Sequence, residues 1–182
     1  MTGSEPIAFP GSPERRQQTK DAQKVMRLLA HKLRALGFER TKPSFFIRQS
    51  ALVIEFVHVH KFTFGPSFRI HFGVRVRNDE HQAATLNGPD SDRLPNPATP
   101  GLRHKFNFSV EPSSFDVCAE AMAAFVAAEG IKWFHIFEDP RVLLSLADSP
   151  LNPRAKAALQ EALHNPSAAI TSPATRRVLN AA

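Results

Sequence analysis

Residues 67–77 read SFRIHFGVRVR, and this strict alternation decides the fold. Phe68, Ile70, Phe72, Val74 and Val76 fall on one side of an extended chain, and Arg69, His71, Gly73, Arg75 and Arg77 on the other. Successive side chains of a strand point to opposite faces, so the segment predicts a strand with one face in a core and one cationic face. The same period of two runs upstream through a short strand at Phe45 to Gln49 and a longer one at Leu52 to Phe62, with Gly65-Pro66 as the turn. Downstream, Leu102 to Val110 turns Phe106, Phe108 and Val110 inward and Arg103, Lys105 and Asn107 outward. These segments predict an antiparallel sheet of about four strands.

Around the sheet the period changes to that of a helix. Ser12-Pro13-Glu14 is a helix start, because a serine side chain accepts from free N–H groups and proline at the first position loses no needed donor. Ala22, Val25, Met26, Leu29, Leu33 and Leu36 then recur at three- and four-residue steps until Gly37-Phe38, a glycine stop followed by an apolar residue. Ser113, Ser114 and Asp116 open a second helix whose stripe of Phe115, Cys118, Met122, Phe125 and Val126 ends at Gly130. Asp139-Pro140 and Asn152-Pro153 start further helices through Leu146 and to about Leu163. The class is therefore α+β, with N-terminal and C-terminal helices packed on one face of the sheet.

Apolar residues make up 42% of the 182 positions and charged residues 22%, which is globular usage for one domain. The boundaries follow from composition: a proline- and glycine-rich tail at 1–12, a domain over 13–164, and a loosely held tail over 165–182. Residues 78–101 are rich in Asn, Asp, Gly and Pro and form a long loop insertion within the domain. No apolar run reaches the roughly 20 residues that span a bilayer. Cys118 is the single cysteine, so a thiolate zinc site or an intrachain disulfide is excluded, and a cytoplasmic setting fits. With 15 Phe and no Tyr, phenol chemistry is excluded as well. The net charge of +6 is uneven, since residues 1–50 hold 10 basic and 4 acidic groups while 106–150 hold 2 and 7.

A two-residue turn at Gly65-Pro66 would place His60 opposite His71, Phe62 opposite Arg69 and Phe56 opposite Arg75. His58 shares that face, so Phe56, His58, His60, Phe62, Arg69, His71 and Arg75 form the candidate binding surface. Interleaved aromatic and arginine groups suit an anion, the bases and phosphates of nucleic acid, or an acidic protein. His58, His60 and His71 also match the inventory of a three-histidine metal site with an open position. No nearby Asp or Glu orients them, since Glu55 falls on the opposite face, and a row of half-exposed histidines is the simpler account. Ser113, Ser114 and Ser145 lack a nucleophile elbow, and Cys118 lies on an apolar stripe. Glu138-Asp139 pairs two carboxylates, of which Asp139 is a helix cap. The residues name no catalytic centre and no cofactor. They point to a non-enzymatic domain that binds another protein, by analogy with small bacterial immunity or accessory proteins. Nucleic-acid or anion binding is the alternative, and a histidine-ligated metal a third reading. The basic helix face of Arg15, Arg16, Lys20 and Lys24 is expected to be solvated surface.

Leu36-Gly37-Phe38, Phe46-Ile47-Arg48 and Phe72-Gly73-Val74, with Trp133-Phe134 and Glu138-Asp139-Pro140 later, resemble a bacterial domain-of-unknown-function family of small α+β proteins. The resemblance covers roughly residues 26–147. It implies the α+β fold and carries over no active-site residue. His60 and His71 depart from it, standing where that pattern has amides.

Overall fold

The computed structural model describes residues 11–63, 65–92, 106–108 and 112–182. Helix α1 spans Pro13–Arg34, with Ser12 accepting from the Arg15 amide at its start. Its end is set by Gly37, at φ +81°, whose amide donates to the Arg34 carbonyl while that of Phe38 donates to Leu33. Glycine takes this left-handed conformation without steric cost. Five strands follow in a meander: β1 (Glu39–Lys42), β2 (Phe45–Gln49), β3 (Val53–Lys61), β4 (Ser67–Val76) and β5 (Phe106–Asn107). Each pairs antiparallel with its neighbour in the order β1-β2-β3-β4-β5. Helix α2 (Pro112–Phe125) leads through a π turn at Val126–Gly130 into α3 (Ile131–His135), then α4 (Val142–Ser145), α5 (Pro153–His164), a 3₁₀ turn and α6 (Pro173–Leu179).

The α+β class and the antiparallel sheet stand as the alternation requires, with five strands rather than four. The added strand, β1, is Glu-Arg-Thr-Lys with a bulge between Arg40 and Lys42, so it carries no apolar alternation to announce it. Of the expected last strand the described part is β5 and Phe108; Leu102 to Lys105, Ser109 and Val110 lie outside the described residues, as do the first ten positions of the N-terminal tail.

The inner face of the sheet buries Phe46, Val57, Val59, Phe68, Ile70 and Phe72 against Val25, Leu29 and Leu33 of α1, Met122 of α2 and Phe134 of α3. At one end Val53, Val74 and Val76 continue that face under Phe137, Leu143 and Leu159. One correction concerns the tail. Residues 173–179, expected as part of a loose segment, form α6, which Ser172 caps and Pro173 starts. This helix lies on the opposite face, where Leu179 and Ala181 cover Ile47, Ile54 and Phe56. Helices therefore pack on both faces rather than one.

The β3–β4 register is a second correction. His58 pairs with His71, His60 with Arg69 and Phe56 with Gly73. Phe62 donates its amide to the Ser67 carbonyl, so four residues form the turn instead of two, with Gly65 at φ +90°. A shift by two residues preserves which face every side chain occupies, whereas a shift by one would have exchanged them.

Two features explain the motif residues in structural terms. The Arg48 guanidinium lies 5.0 Å from the Phe38 ring and donates to the Leu36 carbonyl, locking the end of α1 to β2, and it pairs with Glu55 across the sheet. Gly73 lies beneath the Phe56 ring, where an added Cβ would stand 2.2 Å from Phe56 Cζ. Gly73→Ala is accordingly expected to lower stability by about 1–3 kcal/mol through overpacking. Phe56→Leu in the same chain should recover part of that loss in urea unfolding.

Candidate functional site

The outer face of the sheet divides in two. In one half, Phe56 is buried under α6, and Arg75 is only 4% exposed. The Arg75 guanidinium donates to the carbonyls of Asp79, His81 and Ala83 and to Thr175 Oγ1, at 2.6 to 2.9 Å. The Asp79 carbonyl also accepts from Ser172 and Thr175, so one buried cation joins β4, the following loop and α6. Arg75 and Phe56 therefore belong to the packing and not to an exposed contact face. Burial holds the Arg75 guanidinium below its ordinary pKa, and Asp79 and Glu80 oppose that effect.

In the other half the histidines do come together. Phe45, His58, His71 and Asp90 form one row across four adjacent segments, and His60, Arg69 and Asp92 lie on the row beside it. The His58 ring centroid lies 4.6 Å from Phe45, 5.9 Å from His71 and 6.4 Å from His60. His71 Nδ1 is 3.9 Å from Asp90, and Arg69 Nε is 2.8 Å from Asp92 Oδ2. The Arg69 Nε–H does not point along that line, so the contact is an ion pair and not a linear hydrogen bond. Phe62 stacks 5.1 Å from the Arg69 guanidinium and meets His60 edge-on at 5.7 Å.

The carboxylates that sequence reasoning did not find arrive from the loop. Asn87 bonds both the amide and the carbonyl of Val74, Phe72 donates to Pro89, and Ser91 donates to Ile70. Residues 87–91 thus run along the edge of β4 as a further strand would, beyond the point where β5 pairs. Gly88 permits this approach, since an added Cβ there would stand 2.8 Å from the Phe72 carbonyl. The described part of the insertion is knitted into the sheet, which puts Asp90 opposite His71. Long-range pairing of this kind leaves no local sequence pattern.

The chemistry open to the cluster is limited. Burial, then the charges of His71 and His60, push His58 down to about 4, and burial likewise lowers His71 against the pull of Asp90. The His58 and His71 rings are therefore neutral near neutrality, and His58 Nδ1 has no hydrogen-bond partner among the described residues. Although His58, His60 and His71 share a face, no group of three or more His, Cys, Asp or Glu among the described residues could hold a metal ion. Other candidate nucleophiles are occupied: Ser145 donates to Val142, Ser114 donates to Phe108, and Cys118 is buried with its thiol pushed up to about 12. Asp139 is engaged by the Arg141 side chain and amide. The Ser113 side chain lies outside the described residues. The enclosed space beside Arg75 and Asn87 measures about 20 Å³, too small for an organic ligand.

Unspent positive charge lies elsewhere. Arg16, Lys20, Arg27 and Arg34 are exposed on α1, and Arg40 is exposed on β1. None has a carboxylate within ion-pair distance among the described residues, in contrast to Lys24 and Lys32, which pair with Asp21, Asp116 and Glu120. Arg34, Arg40, Ala30 and Glu39 line a cleft of about 290 Å³. Partial burial of the guanidinium, and to a lesser extent the neighbouring charge of Arg27, hold Arg40 below its ordinary pKa. Among the described residues no helix is long and apolar enough to cross a membrane.

Arg75→Ala leaves the His81 and Ala83 carbonyls without their donor and is expected to cost about 3 kcal/mol or more in chemical denaturation. Arg69→Ala, on the exposed half, should cost under about 1 kcal/mol. For His58 the folded pKa of about 4 lies below the ordinary 6.5, so in acid the unfolded chain takes a proton that the folded chain refuses. Stability is thus fully held above pH 6.5 and falls as the pH drops toward 4, by at most about 1.4 kcal/mol per unit for this group. His58→Phe should flatten that acid limb when urea unfolding is compared at pH 7 and pH 5. Compared with protein-family models, with curated proteins and with solved structures, the chain matches none.

Proposed function

We propose that this chain is a non-enzymatic binding domain for an acidic partner, gripped by the cationic strip of α1 and β1. The observation that carries the reading is the contrast in how the arginines are used. On the sheet, Arg75 is buried among carbonyls and Arg69 is held by Asp92 and Phe62, so neither offers a free charge to a partner. On α1 and β1, five exposed cations stand without a carboxylate partner among the described residues. Like charges held near one another repel, and a stable fold tolerates that cost on a surface where an anion relieves it.

The cationic-aromatic sheet face, which the sequence favoured as the contact surface, is thereby reduced to His60, Phe62 and Arg69 at its margin. A protein partner remains the alternative occupant of the strip. The absence of an enzymatic role is inferred from the occupied state of Ser114, Ser145, Cys118 and Asp139, each accounted for by a structural bond or by burial.

Retention on immobilised heparin, a generic polyanion, tests the reading. Arg27→Glu with Arg34→Glu should elute at clearly lower salt than Arg154→Glu with Arg176→Glu, which changes the net charge equally on α5 and α6. Arg69→Ala should elute with the unaltered protein. An equal shift for both double variants would mean that net charge alone governs binding, and the strip would lose its role.

A further inference from the structure

We infer that the acidic partner is double-stranded nucleic acid, held by its phosphates along α1 without reading of base sequence. The inference rests on the strip being the contact surface and goes on to name its occupant. Arg16, Lys20, Arg27 and Arg34 recur at steps of four, seven and seven residues, and seven residues fall about 20° short of two full turns. The four cations thus form one nearly straight line about 27 Å long. Arg40 adds a fifth at its C-terminal end, close enough that Arg27 depresses its pKa. Duplex DNA carries about one charge per 1.7 Å of axis, so a line of that length faces backbone phosphates throughout. Four of the five groups are guanidinium ions, whose planar fork matches two phosphate oxygens at once.

The surroundings of the strip separate this occupant from others. A protein interface carries an apolar or aromatic centre. The exposed large apolar residues of the chain are Leu28, Leu86, Val117, Ile136 and Ile170 among those described. Leu28, the one on α1, is in helical phase with Lys24 and Lys32, which point to α2. It therefore projects away from the cationic line. Single strands are bound by aromatic platforms on which bases stack. Among the described residues, Phe38 and Phe46 at the C-terminal end of the strip are fully buried beneath Arg48 and Arg40, and Phe115 on α2 is half-buried against Lys24, on the side of α1 turned away from the line. What remains is charge in a line, which suits a backbone and not bases. Helix α1 also buries Val25, Leu29 and Leu33 against the sheet, so the face it offers to a duplex is the cationic one. Glu39 borders the Arg34–Arg40 cleft and opposes an anion there, so the cleft is no phosphate pocket and the line of cations carries the contact.

Fluorescence anisotropy with a labelled 20-base-pair duplex of arbitrary sequence tests the inference on the full chain, across about 50 to 200 mM salt. The expected dissociation constant is on the order of 10⁻⁶ to 10⁻⁴ M, with a log–log salt slope of about −3 to −4.5 for three to five engaged cations. A scrambled duplex should bind equally well. Arg27→Glu with Arg34→Glu should weaken binding at least about tenfold. Glu39→Gln, which keeps every cation, should tighten it about twofold to fivefold. Circular dichroism melting of each variant separates lost binding from lost folding. No binding at 50 mM salt, or a duplex bound equally by the charge-reversed variant, would overturn the inference. A single strand of equal length binding more tightly than the duplex would also overturn it. If polyglutamate binds more tightly than the duplex and the strip variant abolishes that binding, the acidic-partner reading stands and nucleic acid fails. If no polyanion binding depends on the strip, both fail.

Discussion

The pairing of β3 with β4 is the constraint on which the rest of this structure depends. Nine consecutive residue pairs, from Val53 with Val76 to Lys61 with Phe68, fix two long strands in one register. The pleat then sends Val57, Val59, Ile70 and Phe72 inward and His58, His60, Arg69 and His71 outward. Helices α1, α2 and α3 have one apolar face on which to settle, and the outer face inherits whatever polar residues the alternation leaves. Those residues are not equivalent. Arg69 and Arg75 sit six residues apart on one strand, yet one is a marginal surface ion pair and the other a buried tie among carbonyls. The difference comes from what covers them, since α6 and residues 79–83 close over one end of the sheet only.

A buried guanidinium needs its donors filled, and this one fills them almost wholly with backbone oxygens from a loop. The loop gains a fixed path in return. Its continuation, residues 87–91, satisfies the open edge of β4, which would otherwise present free amides and carbonyls to another chain. At the far edge, β1 is short, bulged and charged, and α6 is tied to it through Thr41, which donates to the Leu179 carbonyl. Both margins of the sheet are thus closed by means that cost little apolar surface.

Much of this could be read from residue order because it is local. Alternation exposed β2, β3 and β4, and the serine or asparagine before a proline marked α1 and α5. The same signal, Ser172-Pro173, stands before α6, where the surrounding Ser, Ala and Pro composition suggests a tail instead. That composition hid a helix whose partners are side chains about a hundred positions away. Leu179 needs Phe56, and Thr175 needs Arg75; neither dependence has a period. For the site, the shared face of the three histidines was legible, because a face survives any even shift of register. Their exact neighbours were not, because the turn length sets the shift. Asp90 opposite His71 was beyond reach for the same reason as α6. The cationic line of α1 was fully visible in the sequence. What the sequence did not show is that the sheet arginines are already engaged.

The attachment of α6 has a consequence for the order of events in folding. The sheet is a meander of neighbours, and such local pairings close quickly. The bonds of Thr175 to Arg75 and of Thr171 to Arg77 instead join positions 100 and 94 residues apart. Closing so long a loop carries a larger entropic penalty and gains contacts only once the β3–β4 surface exists to receive the helix. Docking of α6 is therefore a late step, and its release an early one in unfolding. Release of α6 alone would expose Phe56 and Arg75 to water while the inner core stays packed, so faster hydrogen exchange is expected on the outer face of the sheet than on the inner one.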